Sequence, residues 1–237
     1  MMVSRGLVDS RSRAQAAIKA GGVMIDGHPA RAASQGVGAD SVVTVIEAHG
    51  WVGRGGVKLD HALTLWPVAV EGRVVLDVGA STGGFTEVCL ARGAAKVFAV
   101  DVGSGQMSPK VSGDPRVVSL EQTDVRILDA DLIPDAPGLI VCDVSFIGLA
   151  KALPAALALA ADGADLIALV KPQFEGDGPG DVGKNGLVKD VEAQTGAVQR
   201  VSHWLEGLGW SVQATTESPI TGGDGNVEFL LWARRDR

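Results

Sequence analysis

The chain has 237 residues, is 46% hydrophobic and carries 32 glycines, enough for one large domain or a medium domain with a small appendage. It has no run of 18 uncharged apolar residues, and its four histidines (28, 49, 61 and 203) match no metal spacing, which argues against a membrane span and a metal centre. The net charge of −7 divides unevenly: residues 1–58 hold seven Lys/Arg against four Asp/Glu, and the remainder 14 against 24.

A basic head on an acidic body suits contact with a polyanion, although so short a segment also fits sampling. The head reads as two short helices and a hairpin. Ser10 can cap a helix from Arg11 to about Ala20, with Ala14, Ala17 and Ile18 on one face. Gly21-Gly22 ends it. Val23 and Ile25 alternate with Met24, Asp26-Gly27 is a hairpin-turn signal, and a strand over 41–46 closes the unit. The head is expected to span 1–48, with a linker at 49–56 and the main domain over 57–237. The N-terminus has no apolar signal region, so a cytoplasmic protein is expected. Cys89 and Cys142 lie in apolar surroundings and read as reduced, buried side chains.

From Val74 the pattern alternates strand and helix. Strands are expected at 74–78, 96–102, 117–120, 139–143 and 165–170, then a helix at about 188–208 and strands at 210–216 and 227–233. The early strands are continuous apolar runs, as in a parallel sheet covered on both faces, and the last two can pair as an antiparallel edge. The apolar run 149–161 is interrupted by Pro154 and reads as core. The stretch 175–185, EGDGPGDVGKN, is either a lid or a solvated connection, and its place after Lys171-Pro172 favours the lid.

The stretch VVLDVGASTGGFT, 74–86, joins a β-branched run, an acid at Asp77 and a glycine-dense turn. Such a turn offers bare backbone N–H groups to a cofactor at the carboxyl end of the first strand. Gly79, Ser81 and Gly84 hold the three glycine positions of a dinucleotide fingerprint, so the second is serine. That loss disfavours a close pyrophosphate and hence NAD. The same turn, with Gly83, suits the amino-acid end of S-adenosylmethionine. Asp101, about 20 residues on, stands where an acid meets ribose hydroxyls. Asp124 is a candidate for the adenine amino group, with Asp129 and Asp131 as competitors. Phe85 packs either beside the cofactor or in the core, and Asp143 ends the strand expected across the switch point.

Lys58, Asp143, Lys171 and Glu228 form a second set. Lys171 follows an apolar run in LVKPQFE, and Glu228 lies within the strand pattern of GNVEFLLW. Singly, each reads as a solvated charge. Together, two carboxylates favour charged lysines while burial opposes the charge, and a lysine so balanced can fall below about 10.4 and accept a proton from a hydroxyl.

The motifs GRGGVKLDHAL, VVLDVGASTGGFTEVCL, VFAVDVGSGQM, IVCDVSFI, LVKPQFE and GNVEFLLW, in this order, resemble the TlyA/hemolysin A group of rRNA 2′-O-methyltransferases within the FtsJ-like class. The resemblance runs through nearly the whole chain. It implies an α/β, Rossmann-like S-adenosylmethionine-dependent methyltransferase with a seven-stranded, mostly parallel sheet, and a tetrad of Lys58, Asp143, Lys171 and Glu228. In such sites Lys171 is the base for a ribose 2′-hydroxyl, the other three position it, and methyl passes in line from sulfur to oxygen. The substrate implied is a cytidine of ribosomal RNA, free or in a ribosomal subunit.

The head, SRGLVDSRSRAQAAIKAGGVMIDG, resembles the small α+β RNA-binding module of ribosomal protein S-four type, in which Arg5, Arg11, Arg13, Lys19 and Arg31 would meet phosphates. The customary Arg-Leu-Asp-x-x-Leu opening is absent, so a shortened first helix is expected. Gly53, Ser104 and Asp124 stand where serine, tyrosine and asparagine are usual. Two rivals remain: a haemolytic, membrane-acting protein, disfavoured by the lack of a spanning segment or basic amphipathic helix, and an RNA-binding protein with an inactive site.

Overall fold

A computed structural model describes residues 1–8, 11–19, 21–38, 40–45, 50–176 and 186–236, with the side chains of 12, 13, 16 and 19 left out. The segment 177–185, most of the expected lid, therefore lies outside the described residues. The head comprises α1 (Arg11–Lys19), β1 (Val23–Ile25), β2 (His28–Pro29) and β3 (Val43–Val45). The strands form an antiparallel sheet in the order β2-β1-β3. Asp26 and Gly27 turn β1 into β2 with φ of +51° and +79°, the left-handed pair that a two-residue hairpin requires. Met2, Val23 and Val43 fill its small core. Among the described residues the head holds one helix, where two were expected; residues 2–6 form turns.

The body begins with α2 (Arg54–Leu65), inside the segment expected to be a linker. Gly55 and Gly56 speak against a helix by propensity, but packing requires them. A Cβ on Gly56 would lie 2.5 Å from the Trp51 side chain, and one on Gly84 would lie 2.9 Å from the Gly56 nitrogen. Helix α2 thus crosses α3 (Gly84–Ala91) at backbone contact. Its Leu59, Ala62 and Leu63 are buried at helical spacing on one face of the sheet.

The sheet contains β4 (Val74–Val78), β5 (Lys96–Val100), β6 (Val117–Leu120), β7 (Leu139–Cys142), β8 (Asp165–Val170), β9 (Trp210–Glu217) and β10 (Phe229–Arg235). Its order is β6-β5-β4-β7-β8-β10-β9. The first five strands run parallel, β10 is antiparallel to β8, and β9 is antiparallel to β10. The strand order reverses at β4, flanked by β5 on one side and β7 on the other, and the crevice beyond that reversal is where open α/β sheets bind ligands.

The crossovers include α4 (Pro109–Ser112), α5 (Leu149–Ala152), α6 (Pro154–Leu159) and α7 (Val191–Glu206), the last capped by the Asp190 carboxylate on the Glu192 N–H. The Pro154 break separates α5 from α6 as the sequence suggested. Beneath the sheet, buried Asp165 accepts from Arg73, Trp232 and Arg234, and so ties β8 to β10 and to the start of β4.

One boundary correction matters for the site. Glu228 was expected inside the last strand, but β10 begins one residue later, at Phe229. The antiparallel register pairs Phe229 with Val170, so Glu228 stands across from Lys171 at the carboxyl edge of the parallel strands. A parallel last strand would have carried that carboxylate to the opposite edge.

Candidate active site

Four charged side chains meet at this edge. Asp143 immediately follows β7, Lys171 follows β8 and Glu228 precedes β10, three adjacent strands. Lys58 comes from the second turn of α2, beside that helix's apolar stripe. Lys171 Nζ lies 2.6 Å from Asp143 Oδ1 and 4.0 Å from Glu228 Oε1. Lys58 Nζ lies 2.5 Å from Glu228 Oε2 and 3.7 Å from Asp143 Oδ2. Each lysine therefore faces both carboxylates. Lys58, Lys171 and Glu228 are buried, and Asp143 keeps about a fifth of its side chain in contact with solvent. The ring is formally neutral, which limits the cost of burying four charges. Burial pushes the Asp143 carboxyl up, but Lys58 and Lys171 outweigh it and hold the group below the usual carboxylate range.

Sequence reasoning missed Ser145, whose Oγ accepts from Lys171 Nζ at 2.9 Å. Its only signal is its place two residues beyond Asp143. Gly55 was missed as well: a Cβ there would approach Phe85 at 3.3 Å and Asp143 Oδ2 at 3.5 Å, so glycine lets α2 press against the site. Phe85 is itself buried in the core between α2 and α3, with an edge on the cavity that holds the four charges.

That cavity, about 490 Å³, is lined by Lys58, Lys171, Glu228 and the glycine turn. A second, about 690 Å³, runs past Asp101, Asp124 and Ile147. The two share Gly79, Ser81, Asp143, Ser145 and Phe146 as walls. At the mouth Phe146 has φ +66° and is 91% exposed, its ring 5.4 Å from that of Phe174.

The glycine turn is built for close approach. Gly79 has φ +85°, and a Cβ there would lie 2.8 Å from the Asp143 carbonyl oxygen. Gly83, with φ +90°, immediately precedes α3, and Ser81 takes φ +46°, a left-handed conformation unusual for serine. Asp101 steadies this loop: Oδ2 accepts from the Ser81 N–H and Oδ1 from the Gly103 N–H, each at 2.7 Å.

Asp77 is wholly buried within β4. Its Oδ2 accepts from Thr86 Oγ1 at 2.6 Å, and its Oδ1 has no partner. Asp124 lines the larger cavity, but Arg126 already engages both its oxygens through Nε, Nη2 and the backbone N–H. These hydrogen bonds lower the Asp124 pKa to about 2. An adenine amino group would have to share that carboxylate with Arg126.

The donor set decides what chemistry fits here. Asp101, Asp124 and Asp143 line the larger cavity with three carboxyl groups and Asp77 lies buried beneath the glycine turn, a set hostile to a pyrophosphate and suited to a ligand with cationic and hydroxyl groups. Among the described residues no group of three His, Cys, Asp or Glu is arranged to hold a metal, and no helix is long and apolar enough to cross a membrane.

The FtsJ-like methyltransferase family model matches residues 51–235, and the S4 domain model matches residues 1–43. The chain belongs to the FtsJ-like methyltransferase family. Within that family it is 46% identical over 235 residues to the 16S/23S rRNA (cytidine-2′-O)-methyltransferase TlyA of Mycobacterium tuberculosis, covering 98% of this chain and 87% of the relative. It is 36% identical to Hemolysin A of Brachyspira hyodysenteriae, covering 96% and 95%. A Streptococcus thermophilus protein solved under the provisional name hemolysin superposes with a TM-score of 0.80 at 36% identity, covering 99% of this chain and 86% of that one. FtsJ-like membership and the S4 domain agree with the two-part organisation of basic head and α/β body.

In the head, Arg5, Arg11 and Arg31 are exposed. Arg5 also donates to the Ser41 carbonyl at 2.9 Å. The side chains of Arg13 and Lys19, also expected to meet RNA, lie outside the described residues.

Proposed function

We propose that this protein transfers a methyl group from S-adenosylmethionine to the 2′-oxygen of a cytidine in ribosomal RNA. One observation carries the reading: two lysines and two carboxylates close into a neutral, largely buried ring in the smaller cavity, beside the glycine turn, with Asp143 also on the wall of the larger one. When bound, the cofactor supplies an electrophilic methyl group. Gly79, Ser81, Gly83 and Gly84 would admit it, Asp101 and Asp143 would face its polar groups, buried Asp77 would act from beneath the glycine turn, and Asp124 would serve its base end together with Arg126.

Lys171 is the base in this proposal. Its Nζ accepts the 2′-hydroxyl proton as the 2′-oxygen attacks, while Asp143, Glu228 and the Ser145 hydroxyl hold that nitrogen in place. Lys58 neutralises Glu228, so that carboxylate does not seize the proton instead. The exposed Phe146, close to Phe174, offers a face on which an unstacked base can lie, as single-stranded RNA readers use aromatic rings.

The reading is tested by mapping ribose methylation across ribosomal RNA from cells with and without the gene. A cytidine 2′-O-methyl group present only with the gene is expected, and identical maps overturn the assignment.

The head would orient the enzyme on RNA through phosphate contacts by Arg5, Arg11, Arg13, Lys19 and Arg31. Each phosphate neutralised contributes about 0.7 to 0.9 to the slope of log affinity against log salt. Replacing exposed Arg11 and Arg31 by alanine is therefore expected to weaken RNA binding and flatten that slope by about 1.5. A slope equal to the parent's in salt-titrated filter binding removes these two residues from the RNA contact.

A further inference from the structure

Of the four ring charges, Glu228 alone is carried by a loop that leads into an antiparallel strand. It ends the connection between β9 and β10, which includes the glycine-rich run ITGGDGN over 220–226. A loop of that composition has little stiffness of its own, so a carboxylate on it stays in place only where other parts of the chain grip the loop.

Three grips are present. Arg54, which opens α2 one turn before Lys58, donates through Nη2 to the Thr221 carbonyl. Gln173, in the turn that follows Lys171, donates through Nε2 to Asp224 Oδ2 at 3.2 Å. Both side chains line the cavity that holds the four charges. The elements that carry the two lysines thus each hold the loop that carries Glu228. The third grip is Asn226, which is buried. Its Oδ1 accepts from the Val188 N–H at 2.9 Å, and its Nδ2 donates to the Gly186 carbonyl at 3.0 Å and to Asp224 Oδ2 at 2.8 Å. Its own N–H donates to Asp224 Oδ1 at 3.1 Å, and its carbonyl accepts from the Gly222 N–H at 2.9 Å.

Gly222 is where the grip meets the ring. A Cβ there would lie 2.8 Å from Glu228 Oε1 and 2.8 Å from Asp224 Oδ1. Oε1 is the Glu228 oxygen that faces Lys171 Nζ, at 4.0 Å, while Oε2 meets Lys58. The Glu228 main chain is fixed as well, since its carbonyl accepts from the Ser218 N–H at 2.9 Å.

We infer that Asn226 and Gly222 are positioning residues for methyl transfer, which seat Glu228 so that one carboxylate oxygen faces each lysine. The inference rests on the proposed role of the ring in that reaction. The contact with Lys58 alone leaves the carboxylate free to pivot about Oε2. Such a pivot carries Oε1 away from Lys171 and releases the nitrogen that is to meet the 2′-hydroxyl. The backbone of Gly222 lies against Oε1, and Asn226 ties that backbone to Asp224 and to residues 186 and 188. The orientation is therefore set before substrate arrives, which is where fixed geometry contributes to rate. Neither residue lines the larger cavity past Asp101, so the seat acts on the transfer step and not on cofactor binding.

The test uses the full chain, labelled S-adenosylmethionine at saturation and ribosomal RNA from cells lacking the gene. Single-turnover rates are measured over a range of RNA concentrations, and calorimetry gives cofactor affinity and the fraction of molecules that bind it. Gly222→Ala is the sharper variant. It removes no hydrogen bond, its φ lies outside the left-handed region, and the atoms that the new methyl group meets are the ends of two side chains. It is expected to lower the saturating rate roughly 10- to 100-fold, the cost of about 1 Å of misplacement. Cofactor affinity and the RNA concentration for half-maximal rate are expected to stay within about threefold. Asn226→Ala is expected to show the same pattern per cofactor-binding molecule. A saturating rate for Gly222→Ala within threefold of the parent's overturns the seat and leaves the methyltransferase reading standing. So does a loss confined to RNA or cofactor affinity, which would place the loop in binding. A parent that transfers no methyl to this RNA overturns both.

Discussion

Lys171→Ala is expected to lower methyl transfer to RNA by at least ~10³-fold while cofactor affinity stays within about threefold. The argument is positional. Lys171 Nζ is held by Asp143 at 2.6 Å, by Ser145 at 2.9 Å and by Glu228 at 4.0 Å, and it lines the cavity that holds the four charges. General-base catalysis contributes about 10² to 10⁴ in rate, and the loss of a fixed group beside the hydroxyl adds a cost in orientation. Lys171 is absent from the walls of the larger cavity past Asp101, so binding of the cofactor's nucleoside end should survive.

Lys171→Arg separates two roles. Arginine keeps the positive charge of the ring but does not give up its proton in proteins. Equal inactivity of the Ala and Arg variants indicates proton acceptance, and near-normal activity of the arginine variant points to charge alone. Single-turnover methylation with labelled donor, beside calorimetric titration of the cofactor, gives both readings. Full activity of Lys171→Ala removes Lys171 from the chemistry.

The parallel strands were legible because each is a continuous apolar run, a pattern imposed by burial on both faces. The expected ends agree with the structure to within two residues at β5 and β7. Helix α2 was not legible. Local propensity argued against it at Gly55 and Gly56, and the reason for those glycines is the approach of Trp51, Phe85 and Gly84, none of which is fixed by spacing within the helix itself.

The four charges were singled out because together two lysines and two carboxylates make a sensible proton-accepting site, and the family resemblance implied their roles. Their meeting depends on a reversal that local pattern does not contain, the antiparallel register that sets Glu228 across from Lys171. Ser145, Gln173 and Arg54 carry no such oddity. A serine, a glutamine and an arginine near turns look like solvent-facing residues until the sheet edge brings them to one cavity. Asp124 shows the converse: an acid in the expected place on the cavity wall, with its oxygens already taken by Arg126 two residues on.

Asp77→Asn is expected to stabilise the cofactor-free protein at alkaline pH and to weaken cofactor binding. Burial drives the Asp77 carboxyl from 3.8 to about 7, opposed by the Thr86 hydroxyl and reinforced by Asp143 and Asp101. The sign follows from proton binding. Between about pH 4 and pH 7 the unfolded chain has released this proton while the folded chain keeps it, so stability falls as pH rises through that window. By pH 8 the folded protein carries a buried carboxylate whose Oδ1 has no partner. A rise from 3.8 to about 7 corresponds to at most ~4 kcal/mol, or roughly 8 to 16 °C in melting temperature for a chain of this size.

Asparagine does not titrate, so the variant escapes this loss. Whatever its amide costs or gains in packing is the same at every pH and cancels between pH 5 and pH 8. The difference in melting temperature between variant and parent is therefore expected to move in the variant's favour from pH 5 to pH 8, and a constant difference would show that Asp77 does not titrate in this window. Function should run the other way. The substitution removes a negative charge from beneath the glycine turn, where a cationic ligand would hold Asp77 ionised, and cofactor affinity at pH 8 is expected to fall roughly 10-fold or more. A variant that gains stability with pH yet binds cofactor as tightly as the parent would show that Asp77 serves the fold alone.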